Sequence, residues 1–265
     1  MYVIKASGEQ EKFDKRKIFR TAIKAGASKE FASEVANKIE RQIRKGITTR
    51  EILQLALRYL KKNRKVAERY SLKKALMELG PAGYFFEKYF AKVLEYYGYE
   101  TKVGISLKGK VINQEVDILA RKKDVSAMIE CKYHNSWGNY SKLKVALYTY
   151  ARYLDIKKYV NEAWLVTNTK CSMSAIKYAR GVDLKIISWG YPKKGNLQDL
   201  IEEKGLYPIT VLLSARGHIK NKLSEAQIVL VKEIAEKDIS ELRRKTKLSE
   251  KELRILKKDA IELIG

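Results

Sequence analysis

Glu115-Val116-Asp117-Ile118-Leu119, followed shortly by Met128-Ile129-Glu130-Cys131-Lys132, decides how the chain is read. Each stretch is short, apolar and bounded by polar residues, the pattern of a strand. Side chains alternate along a strand, so Glu130 and Lys132 share one face while Ile129 and Cys131 point to the other. Asp117 takes the corresponding position on the preceding strand, which brings two carboxylates and a lysine to one edge of a sheet. That grouping suits phosphodiester hydrolysis. Carboxylate oxygens bind Mg²⁺ while leaving room in its shell for water and a phosphate oxygen, and the metal lowers the pKa of a bound water. A nearby ammonium orients the attacking water or stabilises the transition state. An acid–x–Lys on a strand is by itself more often a surface ion pair; the joint pattern around it is more specific.

Working outward, a helix is expected over 84–97. It puts Glu87 on the stripe Gly83, Glu87, Phe90, Ala91, Leu94, which should face the core. A carboxylate there needs a partner, because burying an unpaired charge is expensive. Strands are expected at 101–106, 116–121, 126–133, 163–167 and 184–188, with helices at 141–154 and 174–179. This is an α/β order with a mixed sheet. His134, Lys144 and Tyr148 follow the strand or lie on the next helix, where they are candidates for touching DNA or a second metal.

These residues resemble the PD-(D/E)xK nuclease superfamily, in particular the Mrr-like restriction endonucleases. The matching motifs are Gly83-Tyr84-Phe85-Phe86-Glu87, Val116-Asp117-Ile118, Ile129-Glu130-Cys131-Lys132 and Trp164-Leu165-Val166-Thr167-Asn168, with the helix and strand of 175–189 closing the unit. The resemblance spans 81–192. It implies a restriction-endonuclease-like mixed sheet flanked by helices, and Mg²⁺ or Mn²⁺ held by Asp117, Glu130 and the backbone carbonyl of Cys131. Glu87 would act in support, and Lys132 would assist the nucleophilic water. Two departures stand out. The glycine-rich approach to the aspartate is replaced by Asn113-Gln114-Glu115, so that Glu115 is either a further acid at the site or simply exposed. Many relatives also carry Gln where this chain has Glu130, the stronger metal ligand.

The first segment, 1–80, opens with a strand at Tyr2-Val3-Ile4-Lys5-Ala6 and a turn at Ser7-Gly8, and four helices follow. Asp14, Ser28 and the box Thr48-Thr49-Arg50-Glu51 start the first three. Gly80-Pro81 breaks the chain after the fourth. No Gly-x-x-x-x-Gly-Lys-Ser/Thr sequence occurs, so no P-loop is present. Lys5 and Lys17 stand at a strand end and a helix start, where they can converge on phosphates, and Thr49 can reach a nucleotide from a helix N-terminus. Read from composition alone, they are ordinary exposed lysines and a cap. The order strand, Gly turn, Phe13-Asp14-Lys15-Arg16-Lys17-Ile18 and four helices resembles the ATP-cone domain of ribonucleotide reductases and their repressors, which binds ATP or dATP and regulates. The resemblance implies nucleotide contacts from Lys5, Lys17 and Thr49, adenine flanked by Val3 and Ile18, and Lys73 or Lys74 at the phosphates. Ala6 departs from the arginine that family often places after its first lysine.

The third segment, 196–265, reads as a small all-helical module with stretches at 199–203, 225–234, 239–245 and 250–264. Ser224 and Ser249 are its expected caps, and His218 falls in a loop. Its end faintly resembles a helix-hairpin-helix unit, but Thr246-Lys247 stands where the hairpin glycine belongs. A packing or dimerisation module is an equal reading.

Composition narrows the classes. The 265 residues carry 55 Lys and Arg against 31 Asp and Glu, a formal charge of +24. Such an excess favours polyanionic partners and counts against binders of acidic ligands or calcium. Residues 1–80 hold 21 basic and 9 acidic residues, 81–195 hold 20 and 10, and 196–265 hold 14 and 12. The excess therefore sits on the two segments whose motifs point to nucleotide and DNA. A hydrophobic fraction of 45% excludes a disordered basic tail. Two cysteines make neither a disulfide framework nor a zinc quartet, and the longest run without a charge, Gly205 to Ala215, is too short to span a membrane. A reducing cytoplasm is the expected compartment. The expectation is a metal-dependent DNA endonuclease regulated by ATP or dATP. Each chain supplies one site, so cutting both strands would need a homodimer, a higher oligomer or two events. The alternatives are a non-catalytic nucleotide-responsive DNA-binding regulator and a nucleotide sensor that binds a protein partner.

Overall fold

The computed structural model describes residues 1–80 and 83–265; Pro81, where the sequence places a break, lies outside the described residues. At the N-terminus, β1 (Tyr2–Ile4) and β2 (Gln10–Lys12) form an antiparallel pair. Asp14 caps α1 (Lys15–Lys24) by accepting from the Arg16 N–H, and Ser28 caps α2 (Lys29–Glu40) by accepting from Phe31. Thr48 and Glu51 form the reciprocal capping box of α3 (Thr49–Leu60). The expected fourth helix is two, α4 (Arg64–Tyr70) and α5 (Leu72–Met77). They part at Ser71, whose hydroxyl donates to the Glu68 carbonyl. The apolar stripes of α1 to α4 close one core around Ile18, Val35, Ile39, Leu60 and Val66. Leu72, Ala75 and Leu76 of α5 leave that core and join the next.

The middle of the chain runs α6 (Tyr84–Tyr96), β3 (Glu100–Lys108), β4 (Asn113–Lys122), β5 (Val125–Lys132), β6 (Tyr140–Ser141), α7 (Leu143–Ile156), β7 (Glu162–Thr167), β8 (Lys170–Cys171), α8 (Met173–Gly181) and β9 (Leu184–Ile187). Five of these strands make a mixed sheet in the order β3-β4-β5-β7-β9. The β3, β4 and β5 strands are antiparallel neighbours, while β5, β7 and β9 run parallel. Strands β6 and β8 pair separately. Alternation puts Ile118, Ala120, Ala127 and Ile129 against α6, while Leu119, Met128 and Leu165 pack under α7 and α8. The phase of β4 changes at Asp117: Ile118 packs on the α6 side but Val116 on the α7 side. The ladder with β3 skips one pair there, opposite Gly104, whose φ of +63° is a conformation glycine adopts without strain.

The C-terminal segment holds α9 (Leu197–Lys204), a 3₁₀ turn (Ile209–Val211), α10 (His218–Glu225), α11 (Val231–Glu236), α12 (Ile239–Thr246) and α13 (Glu250–Ile264). Ser249 caps α13 with Glu252 as its capping-box partner. The stretch expected over 225–234 is instead the end of α10, a connection and the start of α11. Ser224 lies inside α10 and caps nothing. His218 opens α10 rather than sitting in a loop, and its ring contacts Glu252 at 2.6 Å. Lys247, at φ +57°, takes the left-handed position at the end of α12 that the sequence leaves without a glycine. The segment shares its core with α6, since Leu206, Leu230, Val231, Leu253 and Leu256 belong to the same cluster as Phe86 and Phe90. Among the described residues no helix is long and apolar enough to cross a membrane.

Candidate functional site

The β4–β5 ladder ends at the pair Ile118–Ile129, so the next residues, Asp117 and Glu130, stand where the strands part. Cys131 N–H has lost its ladder partner there and donates to Asp117 Oδ2 at 2.7 Å. Glu130 points toward α7. The Tyr148 hydroxyl donates to Oε1 at 2.8 Å and Arg152 Nη1 to Oε2 at 2.8 Å. Tyr148 and Arg152 are four residues apart and so share a helix face. Glu87 sits half-buried in the first turn of α6, beside Gly83 and Tyr133.

The electrostatics are those of crowded acids. Burial, then repulsion from Asp117, Glu115 and Glu130, pushes the Glu87 carboxyl up to about 7. Burial, then Glu130, pushes Asp117 up to about 6, against the opposing pull of the Cys131 N–H and Arg152. Glu115 is exposed yet close enough to act on both. The Cys131 thiol is raised well above its ordinary value by burial and the same acids, so it is no nucleophile at neutral pH.

The structure thus brings Glu87, Asp117, Glu130 and Cys131 together, with Lys132 on the same strand. Tyr148, a candidate DNA contact by sequence, holds Glu130 instead of facing outward. His134 is anchored at the strand end. Its N–H donates to Asn168 Oδ1 at 2.9 Å, its carbonyl accepts from Asn168 Nδ2 at 2.8 Å, and burial, then Lys132, lowers its imidazole. Lys144 is exposed on α7. Arg152 is the site residue that sequence reading missed; its spacing from Tyr148 was the available signal.

As to a metal, among the described residues no three His, Cys, Asp or Glu side chains gather closely enough to hold one. The donors suit Mg²⁺ or Mn²⁺ in kind, being carboxylate oxygens, and burial with mutual repulsion leaves the Glu87 and Asp117 carboxyls raised. Glu130 accepts on both of its oxygens, from Tyr148 and from Arg152.

A second site lies between the N-terminal helices and the sheet, a cavity of about 960 Å³. Lys5, Thr49, Lys73 and Lys74 line it. Val3 and Ile18 do not: both are buried in the N-terminal core. Lys17 is exposed and pairs with Glu11. Arg20, Arg50 and Arg69 add positive charge to the lining, which the sequence motif did not single out.

Comparison with known proteins finds two family matches along the chain. Residues 1–77 match the ATP cone domain and residues 207–264 match the AF1548-like, C-terminal family. An uncharacterized protein of Archaeoglobus fulgidus is 39% identical over 176 residues, covering 66% of this chain and 99% of that protein. The crystal structure of AF1548, a protein of unknown function, superposes with a TM-score of 0.61 at 38% identity, over 69% of this chain and 99% of its own. Can2 from Sulfobacillus thermosulfidooxidans in complex with cyclic tetra-adenylate overlaps 68% of this chain at 12% identity with a TM-score of 0.34, too slight a likeness to carry an argument. The chain belongs to the AF1548-like family and carries an ATP-cone domain at its N-terminus.

Proposed function

We propose that the protein is a metal-dependent DNA endonuclease of the PD-(D/E)xK type, regulated by ATP or dATP at its ATP-cone domain. The observation that supports this is the mutual repulsion of Glu87, Asp117 and Glu130 around the point where β4 and β5 part, with Lys132 one alternation beyond Glu130 on the same strand. Asp117, Glu130 and the Cys131 carbonyl would hold Mg²⁺ or Mn²⁺, supported by Glu87. The cation would activate water and offset the charge developing on the phosphate. Lys132 orients the attacking water or meets the phosphate, and the basic surface of the middle segment draws DNA in. Assembly into a dimer would present two such sites to the two strands.

A second reading, a nucleotide-responsive DNA-binding regulator without catalysis, is favoured by one observation: each oxygen of Glu130 already accepts a hydrogen bond, from Tyr148 and from Arg152. Cleavage of plasmid, linear and branched DNA with Mg²⁺ or Mn²⁺, with and without ATP, separates the two. The endonuclease reading expects cutting that is lost in Glu130→Ala and Lys132→Ala. Equal behaviour of wild type and both variants, with salt-sensitive DNA binding retained, leaves the regulator.

A further inference from the structure

The cavity beside the ATP-cone domain has walls from two parts of the chain. One wall includes Lys5, Lys73 and Lys74; Lys5 pairs with Glu9 and Glu11 and Lys74 with Glu78, which also lines the cavity with Glu202, so Lys73 is the one of the three in no ion pair among the described residues. The other belongs to the central domain: Trp137, on the loop after β5, and Trp189, just beyond β9. Lys73 joins them, its Nζ standing 5.7 Å from the centre of the Trp137 ring and 5.6 Å from Trp189. No carboxylate among the described residues offsets this ammonium, and burial, then Lys170, lowers it to about 8. A half-buried cation without an anion carries a desolvation cost that indole faces offset only in part. An anion entering the cavity relieves that cost, and a planar base entering with it finds two indoles.

The same loop abuts the ATP-cone domain directly. A Cβ at Gly138, where φ is +86°, would come within 2.7 Å of the Ala6 carbonyl oxygen, so only glycine allows the loop tip this close to the β1–β2 turn. The loop then continues through β6 into α7. It therefore links the strand that carries Glu130 to the helix whose Tyr148 and Arg152 hold that carboxylate.

The geometry points to a composite nucleoside-triphosphate site. Lys5, Lys73 and Lys74 take the phosphates, Trp137 with Trp189 takes the base, and the segment from Tyr133 to Lys142 passes occupancy on to Glu130. A ligand that binds one loop position better than another shifts the hold on Glu130 by that difference. This rests on the nucleotide reading of the N-terminal domain and is independent of whether the protein cuts DNA.

The test uses the full chain, with ATP and inorganic triphosphate as probes, followed by calorimetry and tryptophan emission. The chain has 3 tryptophans, and Trp164, buried beneath Lys185 at 3.7 Å, serves as the silent one. ATP should change the emission of wild type, and most of that change should vanish in Trp137→Phe. Trp137→Ala should weaken ATP at least about fivefold, the lower end for base–aromatic stacking, while leaving triphosphate affinity unchanged. Lys73→Met should weaken both probes about tenfold, the loss expected for one charge-assisted contact. ATP should also slow amide exchange across Tyr133 to Ser141. Calorimetric ATP binding at wild-type affinity in both Trp137→Ala and Lys73→Met, or no ATP binding at all, overturns the site. Absence of DNA cleavage bears only on the endonuclease reading.

Discussion

Arg152 Nη1 lies 2.8 Å from Glu130 Oε2, and this ion pair fixes the best carboxylate of the candidate site against α7 rather than toward Asp117. The Glu130 side chain is 10% exposed and that of Arg152 35%, so the pair lies between the surface and buried limits. Removing the cation leaves a nearly buried carboxylate that repels Asp117 and Glu87. Arg152→Ala should therefore cost about 2 kcal/mol, a fall in Tm of roughly 4–8 °C. The loss should shrink in Mg²⁺ or Mn²⁺, because a divalent cation then supplies the missing charge. Thermal melts of both proteins with and without the cation read this; equal shifts in the two would separate Glu130 from metal binding.

The carboxyls of Glu87 and Asp117 give a pH signature. Their ordinary values of 4.5 and 3.8 rise to about 7 and about 6 in the fold. Between the ordinary and the raised values, the native protein keeps protons that the unfolded chain has released. Stability from these two groups is complete below the ordinary values and is lost as pH rises through the raised ones. Glu87→Gln cannot ionise. The variant should gain on wild type between pH 5 and pH 8 in urea unfolding, and the gain should narrow when Mg²⁺ is present. Parallel stability curves for the two proteins would mean that Glu87 is solvated rather than crowded.

Much of this arrangement was legible because it is local. Asp14, Ser28 and the Thr48/Glu51 box announce helix starts within a few residues of where they act, and the alternation of 128–132 fixes which face Glu130 shares. What escaped depends on contacts distant along the chain. The hold of Arg152 on Glu130 spans the connection from β5 to α7. The meeting of Trp137 and Trp189 over Lys73 needs three elements folded together. Simple alternation also gives no sign that Val116 and Ile118 pack on opposite sides of the sheet, a change of phase at Asp117, opposite Gly104. The C-terminal helices were read from amphipathic pattern alone, which gives no sign that they complete the core under α6.

Arg64 ties the ATP-cone domain to the last helix. It pairs with Glu68 at 3.1 Å and with Asp259 of α13, while Glu68 also accepts from the Leu213 N–H at 3.0 Å. Glu68 and Asp259 are 2% and 4% exposed. Arg64→Ala strands two buried carboxylates and should cost about 3 kcal/mol, a fall in Tm of roughly 6–12 °C. The loss should diminish toward pH 4, because burial raises the Glu68 carboxyl above its ordinary value and its protonation relieves a charge that Arg64 no longer balances. A variant melting like wild type at neutral pH would show that α4 and α13 do not depend on this bridge.

Asn168 clamps the end of the strand that carries Glu130 and Lys132. Its amide both accepts from and donates to the His134 backbone, and it is fully buried beside Met77. No other side chain among the described residues both accepts from and donates to the backbone of the loop between β5 and β6. Asn168→Ala leaves the His134 N–H and carbonyl without this partner in a half-buried position, which should cost about 1–3 kcal/mol. Asn168→Asp keeps the acceptor but removes the donor and turns a carboxylate toward the His134 carbonyl, so it should be no milder. Amide exchange at His134 and Asn135 should accelerate in both variants before the rest of the sheet responds, because the clamp acts on the loop and not on the ladder with β7. If the whole sheet loosened together, Asn168 would be a core residue whose contact with His134 is incidental.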